Sequence, residues 1–198
     1  MMATGTPDLY VGIDYSLTSP AITECRGEWK YENITHYCLA KNDRQFERWK
    51  SFRNIRIEKY PKYNTEMERY LGLSSWVKKC IMKYDVTDQN LHQVVFIEDY
   101  AYAAIGQRIL QIAENMAILK NTLYNCKLGY KMIPPTVIKK YASDKGNANK
   151  ELMYDSFVSD THRKLIDEFQ INCDKNPISD IVDSYWICKY GYENGNNT

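Results

Sequence analysis

Two short apolar runs in this chain each end on a carboxylate. Val11-Gly12-Ile13 leads into Asp14, and Val94-Val95-Phe96-Ile97 leads into Glu98. Runs this short and this rich in β-branched residues read as strands buried on both faces, so each acid sits where a central strand leaves the core. A second pair, Asp180 and Asp183, lies three residues apart in a segment, Ile178 to Tyr190, whose pattern reads as a helix. That spacing puts both acids on one face, where like charges repel unless a cation lies between them. Capping of the helix N-terminus accounts for one of the two but not for both. A fold that brings strand-end acids against this helix makes a cage of hard oxygen donors, suited to Mg²⁺ or Mn²⁺.

The remaining segments supply an order of elements. Leu9 to Tyr15, Ala21 to Cys25 and Ile34 to Ala40 read as three strands of an antiparallel meander, with a turn at Arg26-Gly27-Glu28. Asn64 reads as the N-cap of a helix ending near Tyr84. Gln93 to Ile97 is the central strand that carries Glu98. Gln107 to Cys126 is a long helix, apolar over a wide arc, with Gly129 as its stop. Tyr130 to Ile133 is a short strand ended by Pro134-Pro135. Thr136 to Tyr141 is a short helix, and Asn149 caps another through Val158. The fold class is α/β, a mixed sheet covered by helices on both faces, in a single domain over 1–198. Residues 42–63 stand outside the alternation as an insertion or long connection, and 191–198 read as a frayed polar tail.

Net charge is +1 over 198 residues, which excludes nothing until it is divided by region. Arg44 to Lys62 holds Arg44, Arg48, Lys50, Arg53, Arg56, Lys59 and Lys62, against Asp43, Glu47 and Glu58 in and beside it. Lys120 to Lys150 holds seven lysines against Asp144 alone, and the C-terminal quarter is acidic. Basic surfaces flanking an acidic pocket suit a metal-dependent enzyme acting on a polyanion. Phe46, Trp49, Phe52, Tyr60 and Tyr63 interleave with the first basic segment. They either stack on unpaired bases while Arg48 and Arg53 hold phosphates, or anchor an irregular loop to the core. The six cysteines are scattered without a Cys-x-x-Cys pair, which reads as reduced core thiols and argues against structural zinc. No apolar run approaches the ~20 residues of a membrane span. The N-terminus has no secretory pattern, so an intracellular, cytoplasmic protein without a membrane partner is expected.

Five motifs in order resemble the RuvC family of Holliday-junction resolvases, which have the RNase H-like (retroviral integrase superfamily) fold. Gly12-Ile13-Asp14 is similar to the family's first-strand motif, and Phe96-Ile97-Glu98 to its second acidic motif. Thr136-Val137-Ile138-Lys139 and the loop and helix start Lys145 to Lys150 resemble its lysine-bearing segments. Asp180-Ile181-Val182-Asp183-Ser184 resembles its paired-aspartate helix. The resemblance implies a five-stranded mixed sheet, with Asp14, Glu98, Asp180 and Asp183 as ligands for two Mg²⁺ per site (Mn²⁺ also supporting activity). It implies Lys139 and Lys150 at the scissile phosphate, and a homodimer that nicks a four-way DNA junction symmetrically. Lys145 would add a phosphate contact. The bacterial members usually follow the first aspartate with Pro-Gly. Here Tyr15-Ser16-Leu17-Thr18 follows, closer to viral and phage relatives, which suggests a virus- or phage-encoded protein acting in the host cell. The family's junction aromatic falls at Ala101, with Tyr100 and Tyr102 beside it as candidates for that role.

Four other readings are open. One is a flap or branched-DNA debranching nuclease of the same fold, and another is a nuclease-inactive junction-binding protein, which the intact acidic set disfavours. A ribonuclease H is a third, disfavoured by the lysine segments. A sugar-kinase-like phosphotransferase needs Gly-rich phosphate loops and a second such domain, and the chain has neither.

Overall fold

The structure, a computed structural model, describes residues 8–82, 92–100 and 107–195. Six strands form one mixed sheet in the order β4-β3-β2-β1-β5-β6. They are β1 (Leu9–Asp14), β2 (Ala21–Arg26), β3 (Ile34–Ala40), β4 (Ile55–Lys59), β5 (Gln93–Glu98) and β6 (Tyr130–Ile133). The first three make the expected antiparallel meander, turning at Gly27, whose φ of 71° is open to glycine without strain. β4 runs parallel to β3, while β5 and β6 run parallel to β1. Only β2 opposes the rest, so Asp14, Ala40, Lys59, Glu98 and Ile133 all lie at one end of the sheet.

The sixth strand is the departure from expectation. It comes from residues 42–63, which form a unit of the sheet rather than an insertion: α1 (Asp43–Trp49), then β4. Only Ile55 and Ile57 of β4 are buried, and its remaining residues are charged, as suits an edge strand. Asn42 caps α1 by accepting from the Gln45 N–H at 2.9 Å. Trp49 is 3 % exposed and meets Phe169 edge-on at 5.2 Å, and Phe52 meets the same ring at 4.7 Å. Those two aromatics hold the segment to the core instead of offering faces to bases. Their partner Phe169 ends α6 (Leu165–Phe169), a short helix that the sequence pattern did not suggest.

Several boundaries also move. The cap of α2 (Glu66–Ile81) is Thr65, whose Oγ1 accepts from the Glu68 N–H at 3.2 Å, while the Glu68 carboxylate accepts from the Asn64 N–H at 2.6 Å. The expected end near Tyr84 falls outside the described residues. α3 (Gln107–Asn125) stops without Gly129: Lys127 takes the left-handed turn at φ 57°, and the Leu128 N–H closes on the Leu123 carbonyl at 3.0 Å. α4 (Pro135–Ser143) and α5 (Lys150–Thr161) follow, the latter capped by Asn149 as expected. α7 spans Ile178–Asn194, so Gly191 to Asn194 belong to the helix and are not a frayed tail.

Helices cover both faces of the sheet. α2 and α3 pack with Leu9, Val11, Ile13 and Val95 on one side, and α4 to α7 pack with Tyr10, Cys25, Cys38 and Phe96 on the other. α7 lies across β1 at Gly12, where a Cβ would stand 2.3 Å from Cys188 N and 2.5 Å from Ser184 O. Gly191 makes the matching approach to the Phe96 ring, at 2.2 Å from a Cβ position. Both glycines are set by the closeness of the packing rather than by turn geometry. Cys25, Cys38, Cys80 and Cys188 are buried thiols. Among the described residues no helix is long and apolar enough to cross a membrane. Gly12→Ala is expected to cost at least about 1–3 kcal/mol, because the clash is with helix backbone and cannot be relieved by a rotamer change. Urea unfolding of the variant against the parent protein checks this.

Candidate active site

Asp14 and Glu98 end neighbouring parallel strands whose register pairs Ile13 with Ile97, so the two carboxylates leave the sheet side by side. The crevice beyond the carboxyl ends of parallel strands is where α/β sheets ordinarily place ligands. The first turns of α7 pass over this end and bring Asp180 and Asp183 to it. Neither aspartate is used as a cap: Pro177 occupies the N-cap position and makes no side-chain bond. Asp180 is buried, and its Oδ2 accepts from Ser19 Oγ at 2.6 Å. Asp183 forms an ion pair with the Lys150 ammonium, which the first turn of α5 delivers.

The electrostatics identify the cluster. Burial, and then the charges of Glu98, Asp180 and Asp183, push the Asp14 carboxyl well above the usual range, with Lys150 opposing. Burial and Asp183 push Glu98 up to about 7, against Lys150 and Lys139. Burial raises Asp180 to about 6, opposed by the Ser19 bond and by Lys150. Lys150 is drawn down by burial but pushed up further by Asp183, to about 12, so it stays charged. The four acids therefore act on one another as a single group that is short of positive charge.

Lys139 and Lys140 separate as the helical period demands. Lys139 is half-buried on α4 and near enough to Glu98 to affect its ionisation, while Lys140 faces solvent. Lys145 is exposed on the turn between α4 and α5, where its carbonyl accepts from the Ala148 N–H at 3.1 Å. Asp99, the acid that follows Glu98, is engaged locally: its Oδ1 accepts from the Tyr100 N–H at 2.8 Å. The Tyr100 ring sits under Lys120 Nζ at 5.1 Å and lines a cavity together with Asp14 and Glu98. Tyr102 and Ala101 lie outside the described residues. Arg48 lines a cleft with Arg44 and Lys175, just before α7, and donates to Gln170 Oε1 at 2.6 Å. Arg53 does not join it. It precedes Ile55, and so lies at the end of the sheet away from the acids. Ser19 was missed; its only signal is the Ser16-x-x-Ser19 turn after Asp14, in which Ser16 Oγ accepts from the Ser19 N–H at 3.0 Å.

The donor chemistry fits divalent cations. Among the described residues no three acids, histidines or cysteines already stand close enough to enclose an ion. Asp180 is turned to Ser19 and Asp183 to Lys150, so part of the set is held by stand-in partners. The raised pKa of three carboxylates is nevertheless what a cage of hard oxygens gives before a cation neutralises it.

No family model matches the chain, and no curated protein matches it in sequence. Solved structures do. The structure of Thermus thermophilus RuvC aligns with a TM-score of 0.61 at 12 % identity, over 95 % of this chain and 97 % of that one. T. thermophilus RuvC in complex with Holliday junction substrate aligns at 0.62 and 9 % identity, over 95 % and 96 %. The chain has the RuvC resolvase fold. A Fowlpox virus resolvase in complex with substrate Holliday junction DNA aligns at 0.52 and 13 % identity, over 93 % and 97 %. The likeness spans almost the whole of each chain, and the RuvC fold accounts for the expected α/β class and for helices on both faces.

Because Glu98 and Asp180 titrate higher in the folded protein, at about 7 and about 6 against ordinary values of 4.5 and 3.8, the native state holds more protons than the unfolded chain in that window. Stability is therefore expected to fall as pH rises from ~4 to ~7, the sign opposite to that of a salt-bridged carboxylate. Mg²⁺ is expected to raise the melting temperature at pH 8, by mass action on the folded state. Asp14→Asn should flatten the pH dependence and abolish the Mg²⁺ shift, both read by differential scanning calorimetry.

Proposed function

We propose that this chain is a Mg²⁺-dependent endodeoxyribonuclease that resolves four-way DNA junctions. The observation that carries the reading is the convergence of Asp14, Glu98, Asp180 and Asp183 at one sheet end, with Lys139 and Lys150 beside them. Two of the solved structures with this fold hold Holliday junction DNA, which supports branched DNA as the substrate.

Asp14, Glu98, Asp180 and Asp183 would hold the ions. When bound, two divalent ions lower the pKa of the attacking water and neutralise charge on the leaving 3′ oxygen. The protein's own contribution is to place and balance charge. Asp14, on which the charges of Glu98, Asp180 and Asp183 all act, would be the central residue of the set that holds the ions. Glu98 and Asp180, whose carboxyls burial pushes up to about 7 and about 6, would have to be deprotonated to hold the ions. Lys150 is kept cationic by Asp183 and would turn from it to the phosphate once Asp183 holds an ion, while Lys139 is half-buried on the same side as Glu98, so both can supply positive charge to the phosphate. Arg44, Arg48 and Lys175, near the start of α7, extend the positive surface along a DNA arm.

Symmetrical nicking calls for two copies. α2 and α3 expose Met67, Leu71, Leu110 and Tyr124, from 49 to 79 % accessible, on helices that pack against each other. This apolar face suits a homodimer contact. A debranching nuclease of the same fold would share the acids and differ in its tolerance for flaps.

A labelled synthetic junction offered beside a flap, an RNA–DNA hybrid and a duplex is expected to show paired symmetrical nicks with Mg²⁺. Asp14→Asn should lose activity by at least about 10³-fold and Lys150→Ala by about 10²-fold, the scale on which preorganised electrostatic groups act. Equal cutting of flaps would move the assignment to a debranching enzyme, and binding without cutting in Mg²⁺ or Mn²⁺ would make it a binding protein. Leu110→Asp should convert the dimer to monomer by light scattering and unpair the two nicks.

A further inference from the structure

A cavity of about 200 Å³ opens between the strand-end acids and α3. Its lining includes Asp14 and Glu98 and, besides other polar residues and the exposed Arg108, two features different in kind: the side chains of Leu17, Ile112 and Met116, and two buried polar residues, Tyr15 and Asn115. Asn115 is 1 % exposed and its Oδ1 has no hydrogen-bond partner among the described residues; Tyr15 is 6 % exposed and its hydroxyl has none among them either. Buried polar atoms in folded proteins are bonded in roughly nine cases of ten, so two orphans lining one cavity need a reason. The helical period of α3 would equally accept a leucine at position 115, beside the buried Met116 and Leu119, and packing alone would favour it.

The chemistry of the lining selects the occupant. At the buried Asn115 an anion is disfavoured, because Oδ1 can only accept, while the cationic Arg108 of the lining is exposed and left to the phosphate backbone. A flat, uncharged ring is favoured: apolar side chains meet its faces, while its edge must offer an N–H to Oδ1 and a partner to the Tyr15 hydroxyl. Since the same cavity carries the acids, the ring has to belong to the strand being cut. We propose that this cavity receives the nucleobase next to the scissile phosphate, turned out of its stack, with adenine preferred. An asparagine amide matches the N6 amine and N7 of adenine as donor and acceptor together. A base at a branch point is already partly unstacked, so turning it out costs less than in a duplex. The proposal deepens the nuclease reading and rests on it.

The test uses four-way junctions with adenine, purine (which lacks the N6 amine), thymine or no base at each nucleotide flanking the nick. The intact protein is expected to cut adenine sites about tenfold or more faster than purine sites, the range of one good amide–base pair. In Asn115→Leu the ratio should collapse toward one, and the variant's melting temperature should rise as the orphaned amide disappears. Tyr15→Phe, the smaller change, should lower the same ratio if the leucine variant fails to fold. With adenine kept at that nucleotide and 2-aminopurine as its neighbour in the strand, which brightens when the adenine stacked on it leaves, fluorescence should increase on binding to Asp14→Asn protein, which leaves the strand uncut, and not when Asn115→Leu is added. Junction cutting with equal rates at all four sites would overturn the base pocket and leave the nuclease reading standing. If no junction is cut, the nuclease reading fails, and the fluorescence arm alone decides: a rise that Asn115→Leu does not alter, or no rise, overturns the pocket.

Discussion

Everything at the acidic end of the sheet depends on how closely α7 lies on β1. Gly12 lets the helix backbone come within what would be 2.3 Å of a Cβ, and Gly191 does the same against Phe96 near the other end of the helix. Two missing side chains therefore fix the height of a 17-residue helix over the sheet. At that height Asp180 and Asp183 reach the ends of β1 and β5. Anything larger at position 12 would lift the helix and separate the acid pairs, so core packing and site geometry are one constraint.

A buried polar relay holds the helix against rotation. Thr23 Oγ1 on β2 bonds both His36 Nδ1 on β3 and Ser184 Oγ on α7, each at 2.8 Å, and the Tyr31 hydroxyl meets His36 Nε2 at 3.2 Å. Burial, followed by the Arg163 charge, pushes the His36 pKa down to about 3, so the ring is a neutral donor and acceptor in the core and not a catalytic base. Ser184 follows Asp183 directly. The relay thus orients the face that carries the aspartates, through bonds that pH changes near neutrality leave intact.

The site itself works against the fold. Three carboxylates are held where their charged forms are disfavoured, relieved in part by Lys150, Lys139 and Ser19. The orphaned Asn115 and Tyr15 polar atoms add to that strain at the same end of the sheet. Such groups persist when a ligand completes them, and the stable core on both faces supplies the free energy that keeps them in place.

The acids and the central strands were legible in the sequence because each rests on local pattern. A β-branched run stopping at a carboxylate, a 3.6-residue period with two aspartates three apart, and an asparagine ahead of α5 all report on their own neighbourhood. The β1 to β3 meander and β6 were readable for the same reason. β4 was not, since an edge strand needs only two buried isoleucines and its charged residues hide the alternation. Arg48 and Arg53, five residues apart in one basic run, take different surroundings: Arg48 closes α1 and bonds Gln170, while Arg53 leads into the start of β4 at the sheet end away from the acids, because the chain between them turns from helix to strand. The stop of α3 fell on Lys127 rather than on Gly129, because backbone hydrogen bonding closed the turn first. By itself the sequence determined which residues carry charge and which elements end on them. Only the tertiary structure decided which charges meet: Ser19 with Asp180, Lys150 with Asp183, Asn115 with the cavity at Asp14. Those are contacts between positions 33 to 161 residues apart, set by how α7 and α3 pack on the sheet, and no local pattern encodes them.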